Sequence, residues 1–189
     1  MAKLFFYDLE TTGLNYKTNA IHQISGMIVV DGQVRERFEF KVQPHFGAII
    51  DEAALAIANK TQEEVLAYPP IKQVYAKLFA LFTKYVDRFD RFDKYILVGY
   101  NNLSFDNHFF REFVTKHCDD KYYGSYFWSN SIDVFALASD HLQDERHKMS
   151  DFKLRSVAKQ VGIEVDESKL HDAQYDIELT YQIYLKVKK

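Results

Sequence analysis

Cysteine is almost absent: Cys118 is the single one in 189 residues. One thiol excludes an internal disulfide and a cysteine zinc cluster, and it fits a reducing compartment. Proline and glycine are sparse as well, at three and seven, too few for a linker or a disordered tail. No stretch approaches the ~20 apolar residues that a membrane span needs. Met1-Ala2-Lys3 runs directly into an apolar strand, so neither a signal peptide nor a membrane partner is expected, and a cytoplasmic location is. Excess positive charge is missing too. A net charge of −3 argues against a basic coat that binds nucleic acid without specificity. It does not exclude an enzyme of nucleic acids, because an acidic metal site inflates the negative count.

What the chain does have is a core. Hydrophobic residues make up 47% and aromatics 16%, which suits one packed domain over residues 1–189 that buries about two thirds of its unfolded surface. Leu4 to Tyr7 reads as a short buried strand, and Ile21 to Val30 and Val34 to Val42 as a hairpin around the Asp31-Gly32 turn. Asp51 to Asn59 is alanine-rich and helical. Thr61-x-x-Glu64 is a capping box before a short turn that stops near Pro69-Pro70. Ile71 to Val86 has helical periodicity, Asp87 to Lys94 is a solvated loop, and Tyr95 to Tyr100 is a further buried strand. Helices are expected over Asp106–His117, Ile132–Leu142, Leu154–Val161 and Ala173–Val187. Strands first, then helices with one strand among them, predict a mixed α/β fold: a central sheet with an antiparallel three-stranded portion, flanked by helices.

Phe6-Tyr7-Asp8-Leu9-Glu10-Thr11-Thr12-Gly13-Leu14 ends the first strand with two carboxylates two residues apart. Side chains at that spacing share a face. Such a pair repels itself unless a cation lies between, and oxygen donors suit Mg²⁺ or Mn²⁺. Two more acidic elements stand at element boundaries. Gly99-Tyr100-Asn101-Asn102-Leu103-Ser104-Phe105-Asp106 leads from strand to helix, and His171-Asp172-Ala173-Gln174-Tyr175-Asp176 opens the last helix. Taken singly, Asp106 is a helix cap and His171 a surface or capping histidine.

Taken together, in this order and at these separations, the three elements resemble the exonuclease motifs of the DnaQ-like superfamily, in the subgroup with four acidic residues and one histidine. The resemblance covers nearly the whole chain. Ile132-Asp133-Val134 is similar to a segment between the second and third motifs, and Leu154 to Gly162 to the helix before the third. The chain resembles in particular the nuclease domain of bacterial exonuclease I, a single-strand-specific DNase, through Gly99-Tyr100-Asn101-Asn102, Ala54 to Thr61 and Ser150-x-Phe152-x-Leu154. It departs in lacking that enzyme's two additional C-terminal domains. Thr11-Thr12-Gly13 is nearer the polymerase proofreading subunits, while Tyr100 stands where those often carry His.

The resemblance implies a ribonuclease H-like fold and a 3′→5′ exonuclease working with two divalent ions, Mg²⁺ or Mn²⁺. It implies Asp8, Glu10, Asp106 and Asp176 as the metal ligands, with Asp8 bridging. His171, with an ordinary pKa near ~6.5, suits a general base taking a proton from the attacking water. The Thr11 and Thr12 backbone and Leu14 would grip the terminal nucleotide, with Phe105 also placed in substrate binding; Asn101 and Asn102 suit either a contact to phosphate or sugar or a role in the turn. Asp172 and Glu178 are assigned to the solvated helix face, and the other six histidines to structure or surface. Lys121 to Trp128 interleaves a base with aromatics, which suits either stacking on unpaired bases or core packing. The expected substrate is single-stranded DNA or a 3′ overhang, released as nucleoside 5′-monophosphates. An RNA-trimming enzyme, a proofreading subunit and a non-catalytic binding module remain alternatives. A polymerase or another replication or repair partner is compatible with the sequence and not specified by it.

Overall fold

The computed structural model describes residues 2–170 and 172–188. Its central strand, β1 (Lys3–Thr11), is apolar on both faces because both are covered. Phe5, Tyr7 and Leu9 enter one core, and Leu4 and Phe6 enter another across the sheet. β2 (Ile21–Val30) pairs antiparallel with β1, and β3 (Gln33–Lys41) antiparallel with β2. Asp31 and Gly32 both have positive φ, as a tight hairpin turn requires.

Two short helices follow, α1 (Glu52–Ile57), capped by Asp51, and α2 (Gln62–Leu66), opened by the expected Thr61–Glu64 capping box. α3 (Ile71–Phe82) buries Val74, Leu78, Phe79 and Phe82 against the Phe5 face of the sheet. β4 (Tyr95–Gly99) then lies parallel to β1 on its free side. α4 (Asp106–Glu112) and the single helical turn α5 (Tyr123–Tyr126) complete that layer. β5 (Ile132–Asp133) pairs with β4 and gives the order β3-β2-β1-β4-β5. α6 (Val134–His141), α7 (Leu154–Gln160) and α8 (Ala173–Val187) cover the Leu4 face. The mixed sheet with its antiparallel three-stranded portion is as expected. Among the described residues no helix is long and apolar enough to cross a membrane.

Two elements differ from the periodicity. The helix expected from Ile132 begins at Val134, because Ile132 and Asp133 pair with Val98 and Gly99 while the Asp133 side chain caps α6. The helix expected over Asp106–His117 widens into a π-helical turn at Phe113–His117, and the consecutive Phe113 and Val114 are both buried.

One glycine is dictated by packing. A Cβ on Gly26 of β2 would lie 2.4 Å from Phe38 Cζ and 2.6 Å from Phe5 Cε2, and both rings are held in the core. Gly26→Ala is therefore expected to cost about 1–3 kcal/mol by overpacking. That would appear as a drop of several degrees in the thermal midpoint by circular dichroism.

Candidate active site

Asp8 and Glu10 continue the Leu4–Phe6 face of β1 beyond the edge of the core, at the strand's carboxyl end. β4 runs parallel to β1, so its carboxyl end opens on the same edge, where ligands of open α/β sheets gather. Asp8 and Asp176 line one small concavity of about 190 Å³ with Tyr100, Leu154 and Thr180. Glu10 lines a second, of about 220 Å³, with His22, Lys41, Lys60 and Asp172. Asp8 and Glu10 are half-buried.

Asp106 is the first residue of α4, with Phe105 in the capping position. The turn that delivers it is held from across the sheet. Asp133 accepts the N–H of Asn101 at 2.9 Å and of Leu103 at 3.4 Å, as well as that of Phe135 at 2.9 Å. Asn101 takes a left-handed φ of 62°, which asparagine tolerates better than most residues, and Ser104 Oγ donates to its side chain at 2.8 Å. Below the turn, Asn107 accepts from Tyr7 OH and donates to Ser131 Oγ at 2.8 Å, tying β1 to α4.

Asp176 sits in the first turn of α8, whose cap is Asp172, accepting the Tyr175 N–H at 3.0 Å. Asp172 is exposed, and Glu178 pairs with Arg37 at 2.7 Å, so neither is part of the carboxylate group. His171, the candidate base, lies outside the described residues.

Electrostatics ties the four acids together. Burial raises the Asp8 carboxyl well above the usual range, and the negative charges of Asp106, Glu10 and Asp176 raise it further. Asp106 is pushed up to about 7, chiefly by burial and then by Glu10 and Asp133, partly offset by its own N–H and that of Leu9. Three separate segments thus bring four carboxylates within one another's field. Among the described residues no three such side chains form a ready-made metal cage. The donor set is all hard oxygen, the chemistry that suits Mg²⁺ or Mn²⁺.

The candidate substrate residues divide by exposure. Leu14 is 85% exposed. Thr11 is half-buried with its hydroxyl on Gly13 O at 2.8 Å. Thr12 is fully buried: its hydroxyl donates to Ile49 O at 2.8 Å, its N–H to Ala20 O at 2.8 Å, and its carbonyl accepts from Asp51 N and Asn19. Its backbone is thereby committed to holding the loop. Asn102 is fully buried under Gly99, while Asn101 is exposed and Phe105 half-exposed against Phe109.

Two residues have more to do than the sequence indicated. Asp133 falls within the helix expected from Ile132, yet it caps α6 and also fixes the turn before Asp106. His22 is 1% exposed, faces the same concavity as Glu10, and neither ring nitrogen is hydrogen-bonded among the described residues. Burial and nearby Lys60 lower its pKa to about 4, so the ring is neutral at physiological pH. Its place in the apolar run of β2, two residues before Ile24, is the signal that marks it as internal.

Comparisons with known proteins bear on this site. The chain matches Escherichia coli exonuclease I bound to a dT13 oligonucleotide with a TM-score of 0.77 and 24% identity, over 100% of this chain and 41% of that one. A zinc-bound form of the E. coli exonuclease I–single-stranded DNA complex matches with a TM-score of 0.76 and 24% identity, over 99% and 40%. The likeness establishes a ribonuclease H-like fold. The PolC-type DNA polymerase III of Mycoplasmopsis pulmonis (strain UAB CTIP) is 24% identical over 180 residues, which are 95% of this chain and 11% of the polymerase. The chain thus spans well under half of each of these relatives. The exonuclease family model RNase_T matches residues 5–184. With nearly all of its length accounted for by that match, the chain belongs to the RNase_T family of DnaQ-like exonucleases.

Proposed function

We propose that the protein is a metal-dependent 3′→5′ exonuclease that releases nucleoside 5′-monophosphates from single-stranded DNA. The observation that carries this reading is the convergence of Asp8, Glu10, Asp106 and Asp176 at one sheet edge, where Asp8 shares a concavity with Asp176 and feels the charges of all three. These four would hold two divalent ions. When bound, such ions activate water, stabilise the leaving alkoxide and screen the phosphate charge.

The remaining chemistry belongs to the chain's own groups. His171, directly before α8, takes a proton from the attacking water, which a neutral imidazole can do near pH 7. Asp133 holds the turn that sets Asp106 on the sheet edge. Exposed Leu14 and the half-exposed Phe105 ring are apolar surfaces that can pack against the terminal base. Support for DNA comes from the exonuclease I complexes with oligodeoxynucleotides, and for a replication setting from the PolC-type polymerase. Discrimination from RNA depends on contacts to the 2′-hydroxyl.

The test is a gel time course on 5′-labelled single-stranded DNA, 3′-tailed duplex and single-stranded RNA of matched sequence. It is run with Mg²⁺, Mn²⁺ or EDTA. Stepwise shortening of the DNA, stopped by EDTA, is the expected outcome. Faster shortening of RNA would transfer the substrate assignment to RNA. No shortening of any strand by folded protein would overturn the reading in favour of a binding module.

A further inference from the structure

The aromatic stretch Lys121 to Trp128 splits in two in the folded chain. Tyr126 and Phe127 are buried in the core. Tyr123 and Trp128 are half-exposed, and they line a concavity of about 570 Å³ together with Lys94, Arg111 and Lys121. The cations stand over the rings: Arg111 lies 5.4 Å from the Tyr123 centroid and Lys94 5.2 Å from that of Trp128. Two acids also line it. Asp120 is turned into the protein, accepting from Tyr75 OH and from the Tyr122 N–H at 2.6 Å, while Asp119 remains at the rim. Three cations therefore face one accessible carboxylate, so the concavity is net positive on a chain that is net negative.

Its position is informative. α4 begins at Asp106 in the carboxylate group and continues through its π turn to this concavity. At 1.5 Å per residue, Arg111 lies about 7.5 Å along the helix axis from Asp106, and the π turn carries the chain on to Thr115. A strand whose 3′ end occupies the carboxylates can reach that far with its next few nucleotides.

We propose that this concavity is a second contact for single-stranded nucleic acid, in which the exposed Arg111 and Lys121 meet phosphates and half-exposed Trp128, with Lys94 over one face, packs against an unpaired base. Cationic grooves interleaved with aromatic planes hold single strands in this way without reading sequence. The inference rests on the exonuclease reading and adds a site that retains the body of the strand while its end is processed.

The test measures binding apart from hydrolysis. A fluorescent oligothymidylate of about twenty residues is titrated with the full chain in EDTA across a salt series, comparing wild type with the Arg111→Gln/Lys121→Gln double variant. Both side chains are exposed, and a circular dichroism melt confirms that the variant folds. The affinity should fall about tenfold, and the slope of log affinity against log salt should shrink by about 1.4, from roughly 0.7 per lost phosphate contact. Unchanged affinity and slope, or no binding by wild type, would overturn the second contact. Wild-type hydrolysis of thymidine 5′-monophosphate p-nitrophenyl ester with Mn²⁺, a substrate too short to span both places, tests the exonuclease reading separately. Its absence would contradict that reading, and the binding comparison would still decide the second contact.

Discussion

Asp8→Asn is expected to lower exonucleolytic turnover by at least about 10³-fold, while leaving the metal-free protein as stable as wild type or more so. The loss follows from its position: Asp8 lies in the field of Asp106, Glu10 and Asp176 at once. The gain in stability follows from the same fact. A carboxyl whose folded pKa is raised holds its proton more tightly in the folded chain than in the unfolded one, so the folded state is favoured at low pH. That advantage is lost as pH rises through the folded value. Asp8 is raised and Asp106 is pushed up to about 7, against ordinary values near ~3.9. Metal-free protein should therefore lose stability as pH rises from about 4 through 7 by way of Asp106, with Asp8 adding to the loss in the same direction. In EDTA, the wild-type thermal midpoint should be several degrees lower at pH 8 than at pH 5.5. The gap should narrow in Asp8→Asn. Normal turnover by that variant would show that the site is wrongly assigned.

Asp133→Ala is expected to cost about 2–4 kcal/mol, because three N–H groups lose a charged acceptor. It should also lower kcat by about tenfold or more, since the Asn101–Leu103 turn that places Asp106 loses its anchor. Asp133→Asn keeps one oxygen, enough for the Asn101 and Phe135 N–H groups, which both bond to the same carboxylate oxygen. It should recover most of the stability and much of the rate. Urea denaturation with steady-state kinetics on both variants separates the two effects. If Asp133→Ala lost stability without a change in kcat, Asp133 would be a structural cap alone.

Much of this arrangement was legible because local chemistry and the fold agree. β1 shows its strand in Leu4 to Tyr7 and its site in the same-face pair Asp8 and Glu10. The Thr61–Glu64 capping box formed as read. What escaped notice depends on contacts distant in sequence. Thr12 looks like a polar loop residue, yet it is buried because Ile49 and Ala20 fold over it. β5 is two residues long and has no periodicity to detect; its pairing with β4 alone defines it. Asp133 lies inside the helix expected from Ile132, whereas in the structure it caps α6, and its hold on residues 101–103 spans about thirty positions. Lys121 to Trp128 could be read as core or as surface because its aromatic residues go to both.

The most direct test of the carboxylate centre is a calorimetric titration of Mn²⁺ into wild type and Asp8→Asn, at pH 8 with deoxythymidine 5′-monophosphate present. Two ions per wild-type chain, with binding lost or greatly weakened in the variant, is the expected result. Folded wild type that takes up no Mn²⁺, or a variant that binds it equally well, would contradict a metal centre built on Asp8, Glu10, Asp106 and Asp176.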